Sequence, residues 1–265
     1  MLEARTHKYL KAFLKKNSST WKHLYSFGRI ISSFVRKKEN LLINSEIFLN
    51  EEWLPGILMT LFLNQENSKF VIPAHQLKSL LNEHLPLYKK FGFNFSVQNN
   101  QIIFSQHKVS IHTLGSLLDN YRQSNYEKQI IVFADIGSLK KDLKNILRIT
   151  LYKKDWFKNI DSFLRENNEL SKTYNLLKEK FFLRSFPTQT FMSLNIDEAN
   201  LIKKIIKENV DCSDKFVKIN KAFISGWAFW VNLDHEKFEW SLEVEPIDQF
   251  LEINELLSKN NMIFL

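Results

Sequence analysis

Apolar positions in the first forty residues recur with helical spacing. Leu2, Tyr9, Leu10, Phe13 and Leu14 mark one face, and Trp21, Leu24, Phe27, Ile30, Ile31 and Phe34 mark a second. The polar stretch 16–20 separates them, and Arg36, Lys37 and Lys38 close the second helix where its dipole favours cations. The pattern then shortens. Leu41-Leu42-Ile43, Phe70-Val71-Ile72 (stopped by Pro73), Ile102-Ile103-Phe104, Val109–Ile111 and Ile130–Phe133 are brief apolar runs. Between them, Trp53–Leu63, His75–Lys90, Ser116–Arg122 and Leu139–Leu147 keep helical periodicity. Strands alternating with helices predict an α/β fold, a parallel sheet with flanking helices.

After Leu151 the texture changes. Residues 156–165, 170–182 and 196–210 read as helices. From Phe216 onward the chain reads as strands, with alternation at Phe238, Trp240, Leu242 and Val244. A last helix precedes the run Met262–Leu265, a strand that looks cut short. The predicted organisation is a helical segment over 1–40, the first part of the sheet domain over 41–150, a helical insertion over 151–215, and a return to the same sheet over 216–265. There is no internal repeat.

Composition narrows the class. An apolar fraction of 44% with 14% aromatic residues can fill a sizeable core, which excludes a disordered chain. The formal net charge of +8 favours polyanionic partners, although a Lys- and Asn-rich codon bias gives the same balance. The single cysteine, Cys212, excludes a disulfide within the chain and a cysteine-ligated cluster, so a reducing cytoplasm is the expected compartment. No secretory signal opens the sequence, and no run approaches the ~20 apolar residues that span a bilayer, so no membrane is expected.

The chemistry concentrates in QIIVFADIGSLKKDL, Gln129–Leu143. An apolar run ends in one acid, Asp135, with Ala134 before it. A nucleotide-hydrolysing strand carries a pair of carboxylates at this tip. The bland role for Asp135 is a helix N-cap, in competition with Ser138. Trp227, Phe229, Trp230, Phe238 and Trp240 have the alternation of a core-facing strand pair rather than of a base-stacking platform. Cys212 and His235 stand far apart in the sequence, which argues against a cysteine hydrolase.

Several stretches, in order, resemble the first motor domain of superfamily 2 helicases in the DinG/XPD-like branch. VIPAHQLKSLL (Val71–Leu81) resembles motif Ia, and IHTLGSLLDN (Ile111–Asn120) falls where the family has Thr-Pro-Gly-Arg-Leu. VFADIGSLKKDLKNILRITL falls where it has Val-Ile-Asp-Glu-Ala-His, and WSLEVEPIDQFLEINELLSKNNMIFL resembles the approach to motif III. The opening, MLEARTHKYLKAFL, is similar to shortened helicase-like proteins of cyanobacteria. The resemblance implies a RecA-like (P-loop NTPase-type) sheet carrying a helical insertion. It also implies an ATP-dependent DNA helicase with ATP and Mg as cofactors, and a second motor domain on another chain.

The cofactor motifs are degraded. A triphosphate cradle needs a glycine-rich turn, a lysine and a hydroxyl. The loop in that place, NSEIFLNEEW (Asn44–Trp53), has neither glycine nor lysine, and Glu51 and Glu52 fall at the lysine and hydroxyl positions. Like charges at about 4 Å repel by about 4 kcal/mol at an effective dielectric of about 20. Ala134 and Asp135 fall at the metal-binding Asp and catalytic Glu positions, which makes Asp135 the catalytic candidate. The XPD-type iron–sulfur cluster needs four cysteines, so no cofactor is expected. Weak binding of single-stranded DNA remains expected, with His75, Gln76, Lys78, Thr113 and Ser116 as contacts and Lys140, Lys141 and Lys144 as further candidates. The alternative is a non-catalytic interaction scaffold on the same fold. A small-molecule enzyme would need a polar pocket with perturbed acids, for which the sequence offers no candidate.

Overall fold

The computed structural model describes residues 1–17, 23–43, 51–123, 128–152, 191–208, 214–222, 227–234 and 239–265. The helices expected over 156–165 and 170–182, together with Cys212, His235 and Phe238, lie outside them, as do residues 44–50 of the loop before Glu51. The chain forms two compact units, one of Met1–Asp142 with Ile253–Leu265 and one of Leu143–Glu252.

The first unit opens with helices α1 (Leu2–Lys16) and α2 (Leu24–Lys37). Strand β1 (Leu41–Leu42) follows, then a 3-10 turn (Glu51–Trp53) and α3 (Leu54–Asn64). After β2 (Ser68–Val71), one helical run consists of α4 (Ala74–Ser79), a π-helical turn (Leu80–His84) and α5 (Leu85–Phe91). Strands β3 (Ser96–Gln98), β4 (Gln101–Ile103) and β5 (Lys108–His112) come next, then α6 (Leu114–Gln123), β6 (Ile130–Phe133) and α7 (Ile136–Leu147). In the second unit lie β7 (Ile149–Tyr152), β8 (Phe191–Ser193), α8 (Ile196–Glu208), α9 (Asp214–Ala222), β9 (Trp227–Asp234) and β10 (Glu239–Pro246). Helix α10 (Asn254–Lys259) and β11 (Asn261–Phe264) complete the first unit.

The first unit holds a seven-stranded sheet in the order β1-β11-β6-β2-β5-β4-β3. The pairs β1·β11, β11·β6, β6·β2 and β2·β5 are parallel. The β3–β4 hairpin adds two antiparallel strands, so the run at Ile102 is an antiparallel strand rather than a third parallel one. Every residue of β2 and β6 is buried, as strands covered on both faces must be. β11 inserts between β1 and β6, with Ile43 N–H donating to Phe264 O at 2.9 Å and Met262 N–H to Asn40 Oδ1 at 2.8 Å.

One sheet face packs on α1, α2 and α3. Leu10, Phe13, Phe27, Ile31, Ile57 and Leu58 meet Phe70, Ile111 and Val132 in one core cluster. Helix α3 is apolar on nearly every side and accordingly buried from Gly56 to Leu63. Gly56 allows α2 to approach closely, because a Cβ there would stand 2.9 Å from Phe27 Cδ1. A buried hydroxyl chain links the three helices. Ser32 Oγ lies 2.8 Å from Thr6 Oγ1 and 2.9 Å from Thr60 Oγ1. Ser32 also donates to Gly28 O at 2.6 Å, and Thr60 to Gly56 O at 2.8 Å. Each of the three hydroxyls, Thr6, Ser32 and Thr60, thereby has a partner inside the core.

The second unit departs from the expected return to the parallel sheet over 216–265. β9 and β10 join β7 and β8 in a separate antiparallel sheet, ordered β7-β10-β9-β8, and only β11 re-enters the parallel one. The stretch from Phe216, expected as strand, is helix α9. Phe216 and Ile219, one helical turn apart, are fully buried. Phe229 and Val231 pair with Val244 and Leu242, and all four are buried, which makes this face of β9 and β10 core. Lys144 binds Glu245 at 3.1 Å, and Arg148 binds Glu243 at 3.0 Å. Among the described residues, no helix is long and apolar enough to cross a membrane.

Candidate functional site at the carboxyl edge of the parallel sheet

The five parallel strands end in a row, β1, β11, β6, β2 and β5. From β2 the chain moves towards β5, while from β6 it moves the other way, towards β11. Such a reversal opens a crevice at the carboxyl ends of adjacent strands, the usual ligand position in open α/β sheets. Here it lies between β6 and β2, where Ala134 N–H donates to Val71 O at 2.9 Å.

Asp135 stands at the tip of β6 and is exposed. Its Oδ1 accepts the Ser138 backbone N–H at 3.0 Å, which makes it the N-cap of α7. The Ser138 hydroxyl does not act as the cap and donates instead to Asp142 Oδ2 at 3.2 Å. Gly137 leaves room for the cap, since a Cβ there would meet Asp135 Oδ1 at 3.3 Å. The next amide, Ile136 N–H, is tied to Leu265 O at 2.7 Å.

His75, Gln76 and Lys78 lie on α4, which starts directly after β2 and Pro73. His75 and Lys78 are exposed and Gln76 is half-buried. Thr113 and Ser116 lie at the end of the neighbouring strand, β5. They cap α6 reciprocally: Ser116 N–H donates to Thr113 Oγ1 at 3.3 Å, and Thr113 N–H donates to Ser116 Oγ at 3.1 Å. This is a capping box with Ser in the place of Glu or Gln. The five residues thus come from two adjacent strand ends, because Val71 and His112 are register partners. Of the further lysines, Lys140 and Lys141 are exposed, whereas Lys144 is engaged with Glu245.

Two residues not singled out from the sequence belong to the same region. Lys69, in the middle of β2, is only 7% exposed, and burial with the nearby Lys108 charge pushes its pKa down to about 8. His112, at the end of β5, is held at about 4 by burial and by Lys69, so its ring is neutral at pH 7. Its Nδ1 lies 3.4 Å from Ser116 Oγ. The sequence carries a signal for Lys69, a cation interrupting the apolar run SKFVI. It carries none for the Lys69–His112 proximity, which arises from register.

At the β1 end of the row, the first turn before α3 carries Glu51 and Glu52. The Glu51 carboxylate faces the π-helical turn. Its Oε2 lies 2.7 Å from His84 Nε2 and accepts the Ser79 hydroxyl at 3.2 Å. Glu51, Glu52, His84, Asn17, Phe13 and Tyr88 line a cavity of about 320 Å³. Carboxylates therefore occupy the helix N-terminus where backbone amides would otherwise receive an anion. Among the described residues, no group of three or more His, Cys, Asp or Glu side chains is placed to hold a metal ion. No family model matches the chain, and no curated protein matches it as a relative.

Proposed function

We propose that the chain is a degenerate first motor half of a superfamily 2 helicase, with a RecA-like sheet that has lost ATP chemistry and retains weak binding of single-stranded nucleic acid. The observation that carries this reading is the row of strand ends. The stretches resembling motif Ia, the Thr-Pro-Gly-Arg-Leu motif and the metal-binding strand start at the parallel strands β2, β5 and β6, and the last part of the stretch resembling the approach to motif III is β11 of the same sheet, although its first part is β10 of the separate antiparallel one. The loss of chemistry is argued from Glu51, whose carboxylate is engaged with His84, and from Asp135, whose Oδ1 is engaged in capping. Phosphate contacts need only donors and positive charge, which His75, Gln76 and Lys78 supply without a nucleotide. The test is paired: calorimetry with Mg-ATP, and fluorescence anisotropy with single-stranded DNA over a salt series. The reading expects no ATP binding tighter than about 1 mM. It also expects DNA affinity that falls steeply with salt. Micromolar ATP affinity, or no DNA binding in dilute buffer, would overturn it.

A second reading, a protein-interaction scaffold, is favoured by a different observation. In the second unit Ile247 is 71% exposed, Phe250 40% and Leu251 65%, a cluster of apolar side chains facing water. Changing Ile247 and Leu251 to Ser leaves DNA affinity unaltered under the first reading. Under the second, it removes binding to a protein partner.

A further inference from the structure

At the opposite edge of the parallel sheet, where α3 ends and β5 begins, a second cavity of about 280 Å³ opens. Its floor is aromatic. Phe62 lies 5.1 Å from Phe104 and 5.5 Å from Phe93, and Tyr9 lies 6.0 Å from Phe93. His107 stacks on Phe104, with ring centroids 4.4 Å apart and planes within 3°. Gly92, which ends α5 at φ 115, belongs to the lining, with nothing within 4 Å of where a side chain would begin. The rim is polar and carries no acidic side chain.

Two lining groups bear on the choice of ligand. His107 is 8% exposed and its Nε2 makes no hydrogen bond. Burial lowers the pKa of this ring, against the backbone carbonyls of Leu61 and Phe62, so it is neutral at pH 7. Arg5, exposed at the rim, has no acidic partner among the described residues.

These features discriminate between ligand classes. An aliphatic molecule would gain burial but no ring-on-ring contact. A cation would meet the Arg5 guanidinium at the rim. A neutral ring would leave the Arg5 guanidinium unanswered, although that group is the side chain best suited to a planar anion. We propose that the cavity binds a flat aromatic anion, its ring on the floor formed by Phe62, Phe93 and Phe104 and its charge on Arg5. This site does not depend on the helicase reading, since it uses none of the residues at the carboxyl edge.

Nicotinate, its neutral isostere nicotinamide, and acetate separate the two recognition elements, with ligand-observed NMR on the full chain as readout. Nicotinate is expected to bind at about 1 mM or tighter. Nicotinamide is expected to bind at least about fivefold more weakly, and acetate not at all. Arg5→Gln, a change at the exposed rim, should reduce nicotinate to the nicotinamide level, and Phe93→Leu should weaken both rings together. Equal binding of nicotinate and nicotinamide, absence of nicotinate binding, or an Arg5→Gln variant that binds nicotinate unchanged would each overturn the proposal. Because Arg5→Gln removes no core contact, it decides the question even if Phe93→Leu unfolds the chain.

Discussion

The Oε2 atom of Glu51 and the Nε2 atom of His84 lie 2.7 Å apart, and they join the turn before α3 to the π-helical turn after α4. Their side chains are 32% and 23% exposed, so the pair is partly shielded from solvent. Removing one partner leaves the other with a desolvated polar group. His84→Ala is expected to lower unfolding free energy by about 1 kcal/mol, measured by urea denaturation. Glu51→Lys should break the same contact without creating ATP affinity, because a lysine alone supplies no glycine-built cradle.

Asp135 offers a sharper distinction between scaffold and chemistry. As an N-cap it should tolerate Asn, which caps equally well, while Asp135→Ala should cost about 1 kcal/mol of stability. Thermal unfolding of both variants checks this. A large loss in the Asn variant would mean that the charge, not the cap, matters at this position.

Gly56 and Gly137 should respond differently to alanine. At Gly56 the new methyl would meet buried Phe27 at 2.9 Å, so Gly56→Ala is expected to destabilise by about 1–3 kcal/mol despite the better helix propensity of alanine. At Gly137 the nearest neighbour is the exposed Asp135 carboxylate at 3.3 Å, and Gly137→Ala should be near neutral. Denaturant midpoints of the two variants give the comparison.

The Lys69–His112 pair makes stability depend on pH in two windows. His112 titrates near 6.5 when unfolded and at about 4 when folded. Between those values the unfolded chain holds more protons, so stability falls as pH drops through the window. Lys69 titrates near 10.5 unfolded and at about 8 folded, so stability rises as pH climbs from about 8 towards 10.5. Lys69→Met should abolish the upper rise and stabilise the fold at pH 7 by about 1 kcal/mol after allowance for solvent screening. Urea titrations across the pH range read both windows.

Charge reversal on α4 tests the nucleic-acid edge. Lys78→Glu should weaken single-stranded DNA binding several-fold and reduce the salt slope by about one counterion. Lys144→Glu should change affinity less, because Lys144 already answers Glu245.

The central parallel strand β6 was legible because both its faces are buried, which leaves the unbroken apolar run Ile130–Phe133. What escaped detection depended on partners distant in sequence. The run from Phe216 alternates well enough to read as strand, and only the burial of Phe216 and Ile219 on one helix face decides otherwise. Nothing local in β9 and β10 says which sheet they join. The β3–β4 hairpin had a local signal, Asn99-Asn100, and both residues adopt positive φ in its turn. At the candidate site, the individual residues on α4 and α6 were legible as polar positions after apolar runs. The perturbed pair Lys69 and His112 was not, since the register of β2 against β5 brings them together.

The insertion of β11 between β1 and β6 has a price in time. Roughly 130 residues separate the end of β6 from the start of β11. At ribosomal rates of about 5–20 residues per second, the inner edge of β6 waits on the order of ten seconds for its neighbour. Throughout that interval a fully apolar strand presents open backbone donors and acceptors to solvent or to a chaperone. The nascent chain is therefore most vulnerable to misassociation while the second unit is being synthesised, before the filling strand emerges.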